Sequence, residues 1–174
     1  MELTVVMYSV CDAIAMITLN RPERMNAWSA RMNLEHRFVL DQAERNDSVR
    51  TIVVTGLGRA FCAGADSHAF EGHVAHGAYD TRVSDEVATP GYSVRPEFDA
   101  DFAYHFGLSK PVIAATNVAV AGLRSVLACF ADLRFAAAGA KFTTAHGKLN
   151  LPAELGLPWL LRRMIGITRA NECC

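Results

Sequence analysis

The sequence lacks the features that mark several functional classes. Positive and negative charges nearly cancel, with a net charge of −1, so no basic surface predicts binding to nucleic acid or to a membrane surface. No apolar run reaches the roughly 18 residues of a membrane-spanning helix. The N-terminal MELTVV has no basic-then-apolar pattern of a signal peptide. We therefore expect a cytoplasmic protein with neither a membrane nor a nucleic acid as its partner.

The sequence also lacks the motifs of two kinds of binding site, for nucleotide phosphates and for metal ions. No Gly-Lys-Ser/Thr sequence follows a glycine-rich turn, so a phosphate-binding loop for nucleotides is not predicted. His68, His73 and His76 are close in sequence but lack a companion set of carboxylates or cysteines, so we expect no metal site. The cysteines are odd in number and have no framework spacing, which favours reduced thiols: Cys11, Cys62, Cys129, Cys173 and Cys174.

The sequence does contain an alternation of strand and helix patterns. The 174 residues suffice for one domain, and we expect a single one over 1–174. Alternating strands and helices are typical of an α/β fold with parallel βαβ units. The predicted strands are 4–10, 13–20, 50–56 and 110–116, with two short ones in 133–144, and the predicted helices are 29–46, 98–108, 122–131 and 157–166.

Three of these elements carry finer predictions. In the helix 29–46, His36 shares the apolar face, whereas Glu35, Arg37, Asp41 and Glu44 lie on the opposite face. The continuous β-branched strand 50–56 predicts a sheet buried on both faces. The residues 67–97 have no sustained period and are interpreted as a long loop.

The stretch GRAFCAGAD, residues 58–66, follows a buried strand and is rich in small residues. Small side chains leave backbone N–H groups uncovered, and an uncovered N–H in a cleft is half of an oxyanion hole. A tight packing turn explains the same residues, with Cys62 in the core. A second strand, turn and helix follow, and the first N–H groups of that helix are also unpaired. Two such exits facing each other would hold one developing oxyanion.

Four stretches in this order resemble the crotonase superfamily, the enoyl-CoA hydratases and isomerases: ITLNRPERMNA, VVTGLGRAFCAGAD, KPVIAATN and ADLRFAAAGAKFTTAHGKLNLPAELGLPWLLRRMIG. The resemblance covers nearly the whole chain. It implies a spiral of ββα turns that binds an acyl-CoA thioester as substrate, needs no other cofactor, and stabilises an enolate with two backbone N–H groups. It also implies a homo-oligomer, a trimer or a pair of trimers, and a role in fatty acid metabolism.

The resemblance assigns roles to individual residues. It implies that Ala65 and Leu123 donate the two oxyanion N–H groups, although Leu123 and Arg124 are bulky where the family usually has glycines. Arg24 matches the family's basic residue against the CoA phosphates; a solvated loop charge is the alternative. The remaining residues implied to line the substrate site are Ala63, Asp66, Ser67, His68 and Gly122.

The acid–base pair of the hydratases is missing. Val126 and His146 occupy the positions where the resemblance implies two glutamates. Glu154, which matches a catalytic acid of some family branches, is therefore the leading catalytic residue, with His146 as a second candidate. The structural alternative for Glu154 is an acid that complements a helix N-terminus. Three functions stay open: an enoyl-CoA hydratase or isomerase, a hydrolase or dehalogenase acting through Glu154, and an inactive CoA-binding or assembly paralogue.

The family usually continues for several helices beyond the point that matches Cys174, and these helices close the acyl pocket and build the trimer. We expect the chain to lack most of that helical region. An α/β core without it would expose apolar surface. The expected consequence is low stability of the isolated chain, or oligomerisation.

Overall fold

The computed structural model describes residues 1–62, 64, 102–117, 120–121, 123–140, 142–143 and 155–173. Their strands and helices follow the predicted order. In chain order they are β1 Val6–Cys11, β2 Ile14–Leu19, α1 Ala30–Arg45, β3 Thr51–Gly56, β4 Val112–Thr116, β5 Val120–Ala121, α2 Leu123–Phe130, β6 Leu133–Ala136, β7 Phe142–Thr143, α3 Leu157–Ile165 and α4 Ile167–Cys173.

A five-stranded sheet in the order β1-β2-β3-β4-β6 forms the centre of the described fold. β1 pairs antiparallel with β2, whereas β2, β3, β4 and β6 are parallel neighbours. Helix α1 connects β2 to β3, and α2 lies between β4 and β6 in the chain. The predicted α/β class with parallel βαβ units is confirmed. β5 and β7 form a separate parallel pair, and Gly139, with φ 81°, lies between β6 and β7.

The first two strands form a hairpin with a two-residue turn. Asp12 and Ala13 have φ of 50° and 65°, and Cys11 pairs directly with Ile14. Two consecutive positive φ values match the type I′ turn, whose twist agrees with that of the strands. Aspartate suits this region better than alanine does, so Ala13 carries local strain. The turn falls where the predicted strands 4–10 and 13–20 meet.

Ser29, the first residue of the predicted helix 29–46, caps helix α1, because its side chain accepts a hydrogen bond from the Met32 N–H at 3.2 Å. The predicted apolar face, including His36, is buried. The predicted polar face is wrong at Glu35 and Arg37, which are also buried. Glu35 accepts hydrogen bonds from the segment before β1, and the Arg37 guanidinium lies 4.8 Å above the centre of the Tyr104 ring.

Two other predictions need correction. In β3, Ile52, Val54 and Gly56 are buried, whereas the intervening residues are half-buried, so one face of the sheet is covered more completely than the other at this strand. The helix predicted over 98–108 is a short 3-10 helix, Ala103–Gly107, within the described part of that range. Strand β5 and helix α4 were not predicted. The predicted loop 67–97 lies outside the described residues.

A buried cluster of aromatic rings and histidines joins α1 to the 3-10 helix. His36 Nε2 lies 3.4 Å from His105 Nε2, and His105 Nδ1 lies 2.7 Å from the Phe102 carbonyl oxygen. The Trp28 and His36 rings pack edge to face, and the Tyr104 ring stacks on the His105 ring. Charging either imidazole would place a cation in an apolar core beside Arg37.

The histidine pair predicts acid sensitivity of the fold. Burial lowers the pKa of His105 to about 4, despite the opposing Phe102 hydrogen bond and Asp132 charge. Burial, His105 and Arg37 hold the pKa of His36 well below its usual value. The unfolded chain takes up these protons near pH 6.5, so stability is full above that pH and falls towards pH 4. We expect a loss of about 2 kcal/mol from His105 between pH 7 and 5.

Denaturant unfolding of the wild type and of His36→Leu at pH 7.5 and pH 5 measures this effect. The variant leaves one buried imidazole where the wild type has two, so its stability should depend less on pH. Equal pH dependence in the two proteins would contradict the assignment.

No helix among the described residues is long and apolar enough to cross a membrane. Large apolar side chains are nevertheless exposed in the isolated chain at the β6 edge and beyond it. Leu133 and Phe135 on β6, the last strand of the five-stranded sheet, are 53% and 65% exposed, and Phe142 and Ile167 are at least half exposed. The expectation of exposed apolar surface is therefore met in the described part of the chain.

Candidate functional site

The exits of β3 and β4 meet at one edge of the sheet. The two strands are parallel neighbours, so their carboxyl ends point the same way. Asn117 follows β4 directly, and its Nδ2 donates to the Gly56 carbonyl at 3.0 Å and to the Gly58 carbonyl at 2.8 Å. One side chain at the end of β4 thus holds the backbone where β3 ends. Ligands of α/β sheets bind at such carboxyl ends.

The chain after β3 folds back onto the strand at Gly56. A Cβ on Gly56 would lie 2.3 Å from the Phe61 carbonyl oxygen and 2.4 Å from that of Ala60. Only glycine permits this approach of backbone to backbone. Phe61 and Cys62 are fully buried beneath the loop, so Cys62 lies in the core, as the packing interpretation predicted.

Asn26 holds the same loop from the other side. Its Nδ2 donates to the Leu57 carbonyl at 2.9 Å and to the Ala60 carbonyl at 2.7 Å. Its Oδ1 accepts from the Arg21 N–H at 2.7 Å. The side chain is completely buried and all of its hydrogen-bonding atoms are used. The loop 56–60 is therefore fixed by carboxamides from two different parts of the chain.

A backbone hydrogen bond fixes the far end of the loop. The Trp28 N–H donates to the Gly64 carbonyl at 2.7 Å. Gly64 has φ of 100°, a conformation that residues with a side chain rarely adopt. The requirement for glycine at position 64 therefore comes from the backbone conformation, whereas at position 56 it comes from the close approach.

Helix α2 begins at Leu123, six residues after Asn117. The first N–H groups of a helix have no partner within the helix and carry the positive end of its dipole. Further along α2, Val126 is 1% exposed and packs in the core. The valine that replaces an expected glutamate is thus buried in the core.

Arg24 is exposed on a 3-10 turn, Pro22–Arg24, that precedes Asn26. Its exposure fits a contact with a soluble phosphate as well as a solvated charge. Eight of the predicted site residues lie outside the described residues: Ala63, Ala65, Asp66, Ser67, His68, Gly122, His146 and Glu154.

Sequence reasoning missed the contributions of Asn26 and Trp28, and Asn117 entered it only as the last residue of the matching stretch KPVIAATN. The available signal was an asparagine beside a turn and another directly after a buried strand. Asparagine is enriched at such positions because its carboxamide bonds neighbouring backbone groups.

Comparisons with known proteins show the family and the fold of the chain. The family model described as enoyl-CoA hydratase/isomerase matches residues 10–174. The chain is 38% identical over 156 residues to the 1,2-epoxyphenylacetyl-CoA isomerase of Escherichia coli K12, covering 88% of this chain and 55% of that protein. A structure of an enoyl-CoA hydratase/carnithine racemase from Magnetospirillum magneticum superposes with a TM-score of 0.81 at 28% identity, covering 99% of this chain and 61% of that one.

A structure of an enoyl-CoA hydratase subunit I from Geobacillus kaustophilus superposes with a TM-score of 0.78 at 31% identity, covering 99% of this chain and 62% of that one. These superpositions show that the mixed sheet and its helices form an α/β protein of the crotonase fold. The chain belongs to the enoyl-CoA hydratase/isomerase family of the crotonase superfamily. It spans 54–58% of the length of the curated relatives that it matches.

Proposed function

We propose that this chain binds an acyl-CoA thioester and polarises its carbonyl group with the N–H groups of Ala65 and Leu123. The observation that carries the proposal is the pair of hydrogen bonds from Asn117 to Gly56 and Gly58, which ties the β4 exit to the β3 exit. Ala65 follows the first exit in the chain, and Leu123 begins the helix after the second. One oxyanion donor typically contributes about 3 kcal/mol of transition-state stabilisation.

The Gly64 carbonyl supports the first donor. A peptide unit is planar and trans, so the N–H after a carbonyl points in the opposite direction to that carbonyl. Holding the Gly64 oxygen against the Trp28 N–H favours an N–H at the next residue that faces away from Trp28. The start of α2 supports the second donor, because a helix N-terminus favours a developing negative charge.

The reaction class that fits best is an isomerisation through an enolate, with Glu154 moving the proton and His146 as a further candidate. Hydration needs an acid and a base together, and Val126 supplies neither from its buried position in α2. The E. coli relative is named an isomerase of 1,2-epoxyphenylacetyl-CoA. Arg24 would face the CoA phosphates, and Ala63, Asp66, Ser67, His68 and Gly122 would line the acyl site.

The experiment is turnover of 2-enoyl-CoA and 3-enoyl-CoA thioesters by the wild type and by Glu154→Gln. Loss of a general base typically costs 10²–10⁴-fold, so we expect kcat to fall at least about 100-fold while KM changes little. Glu172→Gln is the matched control, because Glu172 is exposed on α4 and distant in sequence. It should leave both constants unchanged.

The outcomes separate the alternatives. Turnover that survives Glu154→Gln removes that residue from its role. Hydrolysis to free CoA instead of isomerisation would indicate the hydrolase or dehalogenase-type reaction. Binding of several thioesters without turnover would indicate an inactive paralogue, and absence of binding would contradict the oxyanion site in this chain.

We also propose that the chain assembles as a homo-oligomer in the cytoplasm, as a trimer or hexamer. The exposed apolar side chains Leu133, Phe135 and Phe142 support a covered surface near β6. Light scattering that finds a stable monomer would contradict the oligomer.

A further inference from the structure

Two asparagines capture four carbonyl groups of a single loop. A carboxamide nitrogen can donate two hydrogen bonds, and the Nδ2 of each asparagine donates both to carbonyl groups of the loop. Asn117 binds the Gly56 and Gly58 carbonyls, and Asn26 binds those of Leu57 and Ala60. The acceptors alternate between the two donors along the chain. Such an arrangement holds the loop against rotation of its peptide units, since each turned peptide would lose its hydrogen bond to a carboxamide.

The backbone at Asn26 is strained to reach this position. Met25 and Asn26 have φ of 50° and 55°, two consecutive left-handed residues without a glycine. Asparagine tolerates that region better than other side chains, whereas methionine does not. Strain of this kind persists only where surrounding structure enforces it, and it concentrates at functional sites. The Arg21 N–H, 2.7 Å from Asn26 Oδ1, is part of that enforcement.

The loop ends at the Gly64 carbonyl, which precedes the proposed oxyanion donor, the Ala65 N–H. Residues 56–60 are held by the asparagines, Phe61 and Cys62 are buried, and the Gly64 carbonyl is bound by the Trp28 N–H. Asn26 and Trp28 are two residues apart, so the same short segment holds both the middle and the end of the loop. A shift of the middle would therefore loosen the bond at Gly64.

We propose that Asn26 and Asn117 are positioning residues of the anion-binding site, holding the β3 exit loop so that Gly64 stays bound to Trp28. The inference rests on the proposed function, because the N–H being positioned is that of Ala65. Neither asparagine touches the substrate in this proposal. Each acts through the backbone of the loop.

The first test measures whether the asparagines hold the loop, without any ligand. Trp28 and Trp159 are the two tryptophans of the chain, so ¹⁵N-tryptophan labelling gives two backbone amide signals. The Trp28 N–H reports the bond to Gly64, and the Trp159 N–H, bonded to Gly156 at 3.1 Å, is the internal reference. We expect Asn117→Asp and Asn26→Asp to speed hydrogen exchange at Trp28 about tenfold or more, with Trp159 unchanged.

The matched control is Asn46→Asp. Asn46 uses its Oδ1 to accept from the Ser48 N–H and hydroxyl, which an aspartate also does, and it makes no contact with the loop. It introduces the same charge change elsewhere, so Trp28 exchange should stay at the wild-type rate. Asn117→Asp is the first variant to test because Asn117 is only half-buried. Asn26 is fully buried, so if Asn26→Asp does not fold, Asn117→Asp still tests the inference.

The second test measures how strongly the proposed oxyanion donors polarise the carbonyl of a bound thioester. A conjugated thioester such as cinnamoyl-CoA absorbs at longer wavelength when its carbonyl is polarised, so the shift on binding reports the oxyanion donors. We expect both asparagine variants to bind cinnamoyl-CoA with a smaller shift than the wild type, and Asn46→Asp to keep the full shift. A full shift in both variants would overturn the inference while leaving the proposed function intact. A wild type without any shift overturns the proposed function. Unchanged Trp28 hydrogen exchange in both variants overturns the claim that Asn26 and Asn117 hold the β3 exit loop.

Discussion

Gly56→Ala is expected to unfold the β3 exit or the whole chain. The added Cβ would lie 2.3 Å from the Phe61 carbonyl oxygen and 2.4 Å from that of Ala60. Both contacts are with backbone, so no side chain can rotate away. The loop would have to move, and its carbonyls would then leave the Asn26 and Asn117 carboxamides. We expect the free energy of unfolding to fall by about 3 kcal/mol or more.

Denaturant unfolding compares Gly56→Ala with Gly139→Ala. Gly139 has φ of 81°, and a Cβ there would meet no atom within 4 Å. That control therefore carries only the cost of a left-handed alanine, about 1 kcal/mol. Equal stability losses in the two variants would show that close approach at Gly56 is not what requires glycine. A folded Gly56→Ala that still polarises a bound thioester would contradict the link between this approach and the site.

The sequence predicted the elements whose signals are local. Short apolar runs located β1, β2 and β4, and a period of 3.6 residues beginning after Ser29 located α1. Each of these signals depends on neighbouring residues alone. That the β3 and β4 exits face each other was only a condition of the predicted oxyanion site, because no local pattern shows which strands are neighbours.

The sequence misassigned residues whose partners are distant in the chain. Glu35 was placed on a solvated face because its charge breaks the apolar stripe, yet its partners lie about thirty residues earlier, before β1. Gly56 looked like the end of a strand, although its lack of a side chain is needed by Ala60 and Phe61. Asn26 and Asn117 were unassigned because a carboxamide's role depends on which carbonyls the fold brings to it.

The second prediction with a large expected effect on stability concerns Glu35. Its carboxylate accepts from the Thr4, Val5 and Val6 N–H groups, each at 2.8 Å, and from the Thr4 hydroxyl at 2.7 Å. Arg31 Nε lies 2.5 Å from Oε1. One buried side chain thus satisfies the backbone donors of the segment that enters β1, so α1 and the sheet edge are joined through it.

Glu35→Ala is expected to lower the free energy of unfolding by about 3–5 kcal/mol, since all the donors bonded to this buried carboxylate lose their acceptor together. Asp41→Asn is the matched control. Asp41 also pairs with an arginine four residues away on α1, but the Arg45 side chain is 69% exposed. Breaking a surface pair of this kind costs about 0.5 kcal/mol. Equal effects at the two positions would contradict the proposed role of the buried carboxylate.

The pH dependence of the Glu35 effect provides an independent measurement. Burial raises the pKa of the Glu35 carboxyl, but hydrogen bonds from Val5, Arg31 and Thr4 outweigh it and hold the pKa below its usual value. A lowered folded-state pKa stabilises the fold above the pKa of the unfolded chain, and this stabilisation is lost as pH falls through the folded-state value. The stability difference between the wild type and Glu35→Gln should therefore be constant from pH 8 to 6 and shrink in acid. A difference that grows as the pH falls would mean that the charged carboxylate is not what holds the β1 entry, because protonation would then remove nothing.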